Sequence, residues 1–279
     1  MFGVIPLFVL MGLFANLSGA SQELYDAASL LLKRVRGGVA ISTVIANAIF
    51  AAITGVSIAS AAVFTKIALP QMLRLKYNRK VAVGTISGSA ILGMLIPPSL
   101  LMIVYGSQAD TSIGKLFVAG VLPGIVMTIA FTIVILITGW RYPEYIPKAE
   151  PLTEYEKKNF WKIVLRPWAI LLLIVISLGG IWLGVFTPTE AGGVGAFGAF
   201  LIVIIKGKFS WKSLWETLLS AASTTGSVLI LLVSASTYSK TLSMGGVINL
   251  ISNFVQGLDV APVIVILIFM LILLALGCI

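Results

Sequence analysis

Two segments set hydroxyls, glycine and proline inside apolar runs, where interrupted helices leave oxygen atoms free to bind an ion. The first is Thr54-Gly55-Val56-Ser57, and the second is Gly93-Met94-Leu95-Ile96-Pro97-Pro98-Ser99. Two consecutive prolines remove two N–H donors and push the residues before them out of the helical region, so a helix carrying them must break. The break frees carbonyls from Gly93 to Ile96, and a helix restarting around Pro97 to Ser99 presents the positive end of its dipole. Freed carbonyls beside serine and threonine hydroxyls suit a hard monovalent cation such as Na⁺. The candidate ion ligands are therefore Thr54, Gly55, Ser57, Gly93, Ile96, Pro97 and Ser99. A simple proline kink packed against neighbouring helices is the competing reading of the second segment.

The surroundings of these segments are those of a membrane protein. Of 279 residues, 59% are hydrophobic and 10% charged, and the mean hydropathy is +1.08. Ordinary soluble domains carry about 25% charged residues. Apolar stretches recur, each near the roughly 20 residues that span a hydrocarbon core of about 30 Å. The net charge of +9 arises from 19 basic and 10 acidic residues, gathered in short clusters between apolar segments, as expected of cytoplasmic loops rather than of a nucleic-acid-binding surface. The absence of histidine and the single cysteine, Cys278, remove the commonest metal ligand and proton carrier and any intramolecular disulfide. No nucleophile elbow or phosphate-binding loop is present, so neither an enzyme nor a resident cofactor is expected.

Charge then sets the elements that position the two segments. The basic clusters Lys33/Arg34/Arg36, Arg74/Lys76/Arg79/Lys80, residues 141–166 and Lys206/Lys208/Lys212 are all assigned to the cytoplasmic side. The stretch between the first two is too short for two crossings, yet both its flanks are basic. A re-entrant hairpin over residues 39–72, entering through Ile41 to Ile53, turning at 54–57 and leaving near Pro70, resolves the conflict. A broken helix over 80–105 and a crossing over 115–139 follow. Further crossings are expected over 167–184, 191–205 and 220–242. Thr187-Pro188-Thr189-Glu190 has the spacing of a capping box, with Thr187 as the cap and Glu190 three residues on. Ion coordination by Glu190 is the alternative.

The last quarter repeats the order of the first. A crossing leads to a short amphipathic helix (22–36, then 247–255), a glycine-containing turn and an apolar helix, with basic flanks in the first copy and Asp259 in the second. Five intervening crossings make the two copies antiparallel, the pattern of inverted-repeat carriers whose site lies between broken helices. The expected organisation is an all-α polytopic membrane protein of the ion-coupled, inverted-repeat type. Residues 1–140 form the first repeat, 141–166 a cytoplasmic loop, 167–212 connecting helices, and 213–279 the start of a second repeat stopping at the tip of a second hairpin near Cys278 and Ile279. With half the site missing, the chain alone is not expected to drive Na⁺-coupled uptake.

The sequence resembles the large membrane subunit of TRAP transporters, the tripartite ATP-independent periplasmic carriers also called the DctM family. The resemblance rests on Ile5-Pro6-Leu7-Phe8, Phe50-Ala51-Ala52-Ile53-Thr54-Gly55-Val56-Ser57-Ile58-Ala59, Leu95-Ile96-Pro97-Pro98-Ser99, Gly114-Lys115-Leu116-Phe117-Val118-Ala119-Gly120 and Phe186-Thr187-Pro188-Thr189-Glu190-Ala191, in the family's order. It implies Na⁺-driven uptake of organic acids such as C4-dicarboxylates or sialic acid across a bacterial or archaeal inner membrane. It also implies a small membrane subunit, a soluble periplasmic substrate-binding protein and two facing hairpins in an elevator-like transport domain. On this resemblance the substrate contacts at the first tip are Val56, Ser57 and Ser60, with hydroxyls and helix N-termini meeting the carboxylate, since no arginine lies near the tip. The family's tip usually reads Ser-Gly-Ser-Ser, so the side-chain ligand at position 56 is lost here and backbone ligation remains. A non-transporting scaffold or remnant, and a two-hairpin carrier of another family, are the competing functions.

Overall fold

The computed structural model describes residues 3–257 and 262–277; Asp259, Cys278 and Ile279 lie outside the described residues. The helices run α1 Val4–Leu17, α2 Ala20–Leu32, α3 Gly38–Thr54, α4 Ser57–Arg74, α5 Arg79–Ala90, α6 Leu92–Leu95, α7 Leu100–Gln108, α8 Ile113–Arg141, α9 Glu154–Lys158, α10 Phe160–Val164, α11 Trp168–Trp182, α12 Pro188–Ile205, α13 Trp211–Met244, α14 Val247–Gly257 and α15 Pro262–Gly277. No strand occurs among the described residues. Among the described residues, five helical segments are long and apolar enough to cross a membrane: Arg79–Gln108, Ile113–Arg141, Phe160–Trp182, Pro188–Ile205 and Trp211–Met244. The protein is an all-α polytopic membrane protein. It divides into two compact units, the first ending at Ser227 and the second beginning at Val228 within α13.

In the first unit α1 packs along α12, which also packs on α11. The hairpin arms α3 and α4 pack on each other and on α5, and α3 further contacts α6 and α8. Phe64 of α4 is fully buried, with its ring edge-on to Phe50 of α3 at 5.8 Å and to Tyr25 of α2 at 6.5 Å. Such aromatic pairs add to the burial that seats one arm on the other and both on α2. Gly19, which caps the start of α2, and Gly37, which caps the start of α3, take φ values of +80° and +76°, a region that favours glycine. At Gly19 the chain turns, and α1 and α2 meet at 64°.

The hairpin returns to the end from which it starts. Lys33 and Gly37 before α3, Gly38 at its start, Arg74 at the end of α4 and Tyr77 beyond it line one cavity with Glu150, Thr153 and Glu156 of the 141–166 segment. The Asn78 N–H donates to the Tyr145 carbonyl at 2.9 Å, and Arg36 Nη2 donates to the Pro143 carbonyl at 3.3 Å. Three of the basic clusters therefore meet at one end. Labelling of single cysteines at Arg36 and Arg74, in a background lacking Cys278, is expected to report the same side for both; opposite sides would remove the hairpin.

The structure refines several expected boundaries. The hairpin turn is only Gly55-Val56, because one glycine in the left-handed region reverses the chain, so Thr54 closes α3 and Ser57 opens α4. Pro70 lies inside α4 rather than at its exit and leaves the Lys66 carbonyl without its helical donor. The 141–166 segment contains α9 and α10. Thr153 caps α9 in a reciprocal box with Glu156, whose carboxylate also takes Lys33 Nζ at 2.7 Å. Partial burial disfavours the charged Glu156, but the Lys33 ammonium and the Thr153 backbone N–H and hydroxyl outweigh it and hold the carboxyl below its usual range. A second ion pair joins Lys206, just past α12, to Glu23 of α2. In the second unit, α14 and α15 lie near the amphipathic and apolar segments expected of a second copy.

Candidate functional site

The hairpin tip fits directly into the broken helix. Gly55 caps α3 at φ +62°, its N–H bonded to the Ala51 carbonyl at 3.2 Å, and Val56 is extended before α4 begins. The Gly55 carbonyl accepts the Leu100 N–H, the first residue of α7, at 3.1 Å. A Cβ on Gly55 would stand 2.5 Å from the Pro98 carbonyl oxygen. On the opposite wall a Cβ on Gly93 would stand 3.2–3.3 Å from the backbone of Val56 and Ser57. Two glycines, one on each side, thus let backbone meet backbone.

Between α6 and α7 the chain runs through Ile96, Pro97 and Pro98, and Pro97-Pro98 is a cis peptide. The Ile96 N–H still bonds the Leu92 carbonyl at 2.8 Å, which closes α6. Among the described residues, no backbone N–H bonds the carbonyls of Ile96 or Pro97. Ser99 is fully buried; its hydroxyl donates to the Met94 carbonyl and accepts the Met102 N–H, so it ties the two halves of the break together. Helices α4 and α7 both start here, and their first-turn N–H groups make this an electropositive, donor-rich surface. Helices α3 and α6 both end here and contribute carbonyls. One small region therefore offers oxygens for a cation and N–H groups for an anion.

Gly55, Ser57, Gly93 and Ser99 are gathered at this junction, with Ile96 and Pro97 in the linker. Thr54 is buried, donates its hydroxyl to the Phe50 carbonyl at 3.1 Å and lies 3.4 Å from the buried Ser60 hydroxyl. Of the candidate substrate contacts, Val56 lines a cavity of about 540 Å³ with Thr54, whereas Ser57 and Ser60 are not among its lining residues. Thr187 and Glu190 form a reciprocal capping box at α12: the Thr187 N–H donates to the Glu190 carboxylate at 2.8 Å, and the Glu190 N–H to the Thr187 hydroxyl at 3.3 Å.

Two features of this neighbourhood escape the sequence reading. Asn47 of α3, fully buried, donates from Nδ2 to Ser89 of α5 at 2.6 Å, and its Oδ1 is buried without a partner among the described residues. Nothing local in the sequence pairs residues 42 apart. Lys66 of α4 lines the same cavity as Thr54 and Val56. Its signal was present: a lone charge inside an apolar arm is costly and usually functional.

A hairpin tip seated in a broken helix is an arrangement that recurs in membrane carriers built from discontinuous helices. The chain matches, over residues 1–279, the family model described as the tripartite ATP-independent periplasmic transporter, DctM component, and it belongs to that family. It is 32% identical over 274 residues to the C4-dicarboxylate TRAP transporter large permease protein DctM of Pseudomonas aeruginosa, covering 98% of this chain and 63% of that protein. It is 32% identical over 277 residues to the 2,3-diketo-L-gulonate TRAP transporter large permease protein YiaN of Escherichia coli, covering 98% and 63%. The isethionate TRAP transporter permease protein DctMQ of Oleidesulfovibrio alaskensis is 30% identical over 274 residues, covering 98% and 42%. The chain thus spans under two thirds of the length of these relatives, which are named as permeases and not as enzymes.

Proposed function

We propose that this chain is part of the large permease subunit of a bacterial inner-membrane TRAP carrier that takes up small organic anions with Na⁺. The observation that carries this reading is the Gly55-to-Leu100 contact, which docks a hairpin turn against the Pro-Pro break and collects helix starts and helix ends at one place. Na⁺ binds among the carbonyls of Gly55, Gly93, Ile96 and Pro97 and the Ser57 hydroxyl. Hydrogen bonding already engages the Ser99 and Thr54 hydroxyls, so these mainly hold the backbone in shape. The relatives are named for C4-dicarboxylate, 2,3-diketo-L-gulonate and isethionate, and the shared chemistry is a compact organic anion. A small membrane subunit and a periplasmic substrate-binding protein are the partners, and the DctMQ name of one relative supports the pairing with a second membrane component.

The test is uptake into proteoliposomes by the full-length permease with both partners, scanning candidate acids with and without an imposed Na⁺ gradient. Accumulation that requires the gradient is expected for at least one acid, and none for any acid would overturn the reading. In the same assay Ser57→Ala is expected to raise the half-saturating Na⁺ concentration several-fold while co-purification with the small subunit is unchanged. The lost hydroxyl corresponds to roughly 1–2 kcal/mol, the scale of one buried hydrogen-bonding partner. An unchanged Na⁺ dependence would move the ion away from the hairpin tip.

A further inference from the structure

The cavity of about 540 Å³ beside the hairpin is lined by residues of α1, of both hairpin arms and of the first part of α13. Most of its wall is apolar, and Asn16, Thr54, Ser220 and Thr224 supply its neutral polar groups. Lys66 is the one charged residue among its described lining. No ion pair or hydrogen bond is made by its ammonium among the described residues.

Position makes this lysine unusual. It stands nine residues after Ser57 and eight before Arg74 on α4, so it is about 13 Å along the helix from the tip and about 12 Å from the basic end. An ammonium at that depth is tolerated where it faces a water-filled cavity or an opposite charge. The Cα–Cβ bonds of a helix lean toward its N-terminus, which in α4 is the hairpin tip, so Lys66 starts out toward Thr54 and Val56 rather than toward the basic end. The cavity then combines one uncompensated positive charge, hydroxyl and amide groups, and apolar wall. This is the usual make-up of a small-molecule site: mostly apolar lining with a few orienting polar groups.

We infer that Lys66 is a specificity-determining residue of an anion subsite in this cavity, receiving a carboxylate or sulfonate of the transported organic anion. The inference rests on the permease reading above and adds to it a second recognition point, separate from the donor-rich junction at the tip. The ammonium supplies a point charge with three donors. Asn16, Ser220 and Thr224 meet the rest of the polar solute, and the apolar wall takes its carbon skeleton.

The experiment uses the full-length permease with its partners and whichever acid of a panel of succinate, lactate, gluconate and isethionate the wild type accumulates. Lys66→Gln and Lys66→Met are both expected to raise the KM for that acid at least tenfold and to leave the half-saturating Na⁺ concentration within twofold. Lys66→Arg, which keeps the charge, is expected to stay within about threefold of wild type. Lys80→Gln removes a positive charge elsewhere and is expected to change nothing. An unchanged KM in both neutral variants would overturn the subsite and leave the permease reading standing. A wild type that accumulates none of these acids overturns this subsite for them, and failure across the wider scan described above overturns the permease reading itself.

Discussion

Gly55→Ala is expected to abolish Na⁺-driven uptake and to weaken assembly of the permease. Residue 55 sits at φ +62°, where a β-carbon costs about 1–2 kcal/mol. Its neighbour is backbone rather than a pliable side chain: the Pro98 carbonyl oxygen would lie 2.5 Å from the new atom. Relief requires the tip to back away from the break, which stretches the bond from the Leu100 N–H to the Gly55 carbonyl. An unpaired backbone group in the membrane costs about 1–3 kcal/mol more. The total of roughly 3 kcal/mol or above exceeds what a helical hairpin absorbs by small adjustments. Uptake and co-purification with the small subunit provide the measurement, and near-normal values for both would show that the tip is not held by this contact.

The second large effect is expected at Gly93→Leu, which pushes on the same junction from the other wall. Its Cβ alone would be 3.2–3.3 Å from the Val56 and Ser57 backbone, a tight but survivable contact, so Gly93→Ala is expected to be mild. Leucine adds three further carbons, and overpacking of this kind costs about 1–3 kcal/mol. Here the strain falls on the oxygens assigned to the ion, so apparent Na⁺ affinity should fall tenfold or more while the alanine variant stays within about threefold. A leucine variant with wild-type Na⁺ dependence would detach the ion from the junction. The graded pair also separates local geometry from general destabilisation, since the two substitutions differ only in bulk.

The hairpin was legible in the sequence because its two flanks carry basic clusters and the stretch between them is too short to cross twice. The break was equally plain, since Pro97 and Pro98 cannot supply the N–H groups a helix needs. Docking of one into the other was not legible: the bond from Leu100 to Gly55 depends on how α3 and α7 pack, which no local pattern encodes. The same holds for Asn47 and Ser89. The cap at Thr153 was available from spacing, since Thr153-Glu154-Tyr155-Glu156 repeats the Thr-x-x-Glu order seen at Thr187. In that segment the dense charge masks the capping pattern. Lys66 is a single charge outside every basic cluster, so the charge pattern that sets the topology does not mark it.

The glycine at the start of α2 carries a mechanical consequence. A Cβ on Gly19, which caps the start of α2, would meet nothing within 4 Å, whereas one on Gly37, which caps the start of α3, would press on Ile135 at 3.1 Å, so the bend into α2 is the less crowded of the two. Helix α2 packs mainly on α3 and α10, while α1 packs mainly on α12. The bend joins a post, made of α1 and α12, to a crank, made of α2 and the hairpin it carries, and the two meet again where Gly12 of α1 lies so close to Thr54 that a Cβ on it would stand 2.7 Å away. With 13 residues α2 is a lever about 20 Å long, and a 10° turn about Gly19 sweeps its far end by about 3 Å. The Glu23–Lys206 pair bridges post and crank beside the pivot. With its side chains only 20% and 17% exposed, the pair fastens the crank to the post beside the bend.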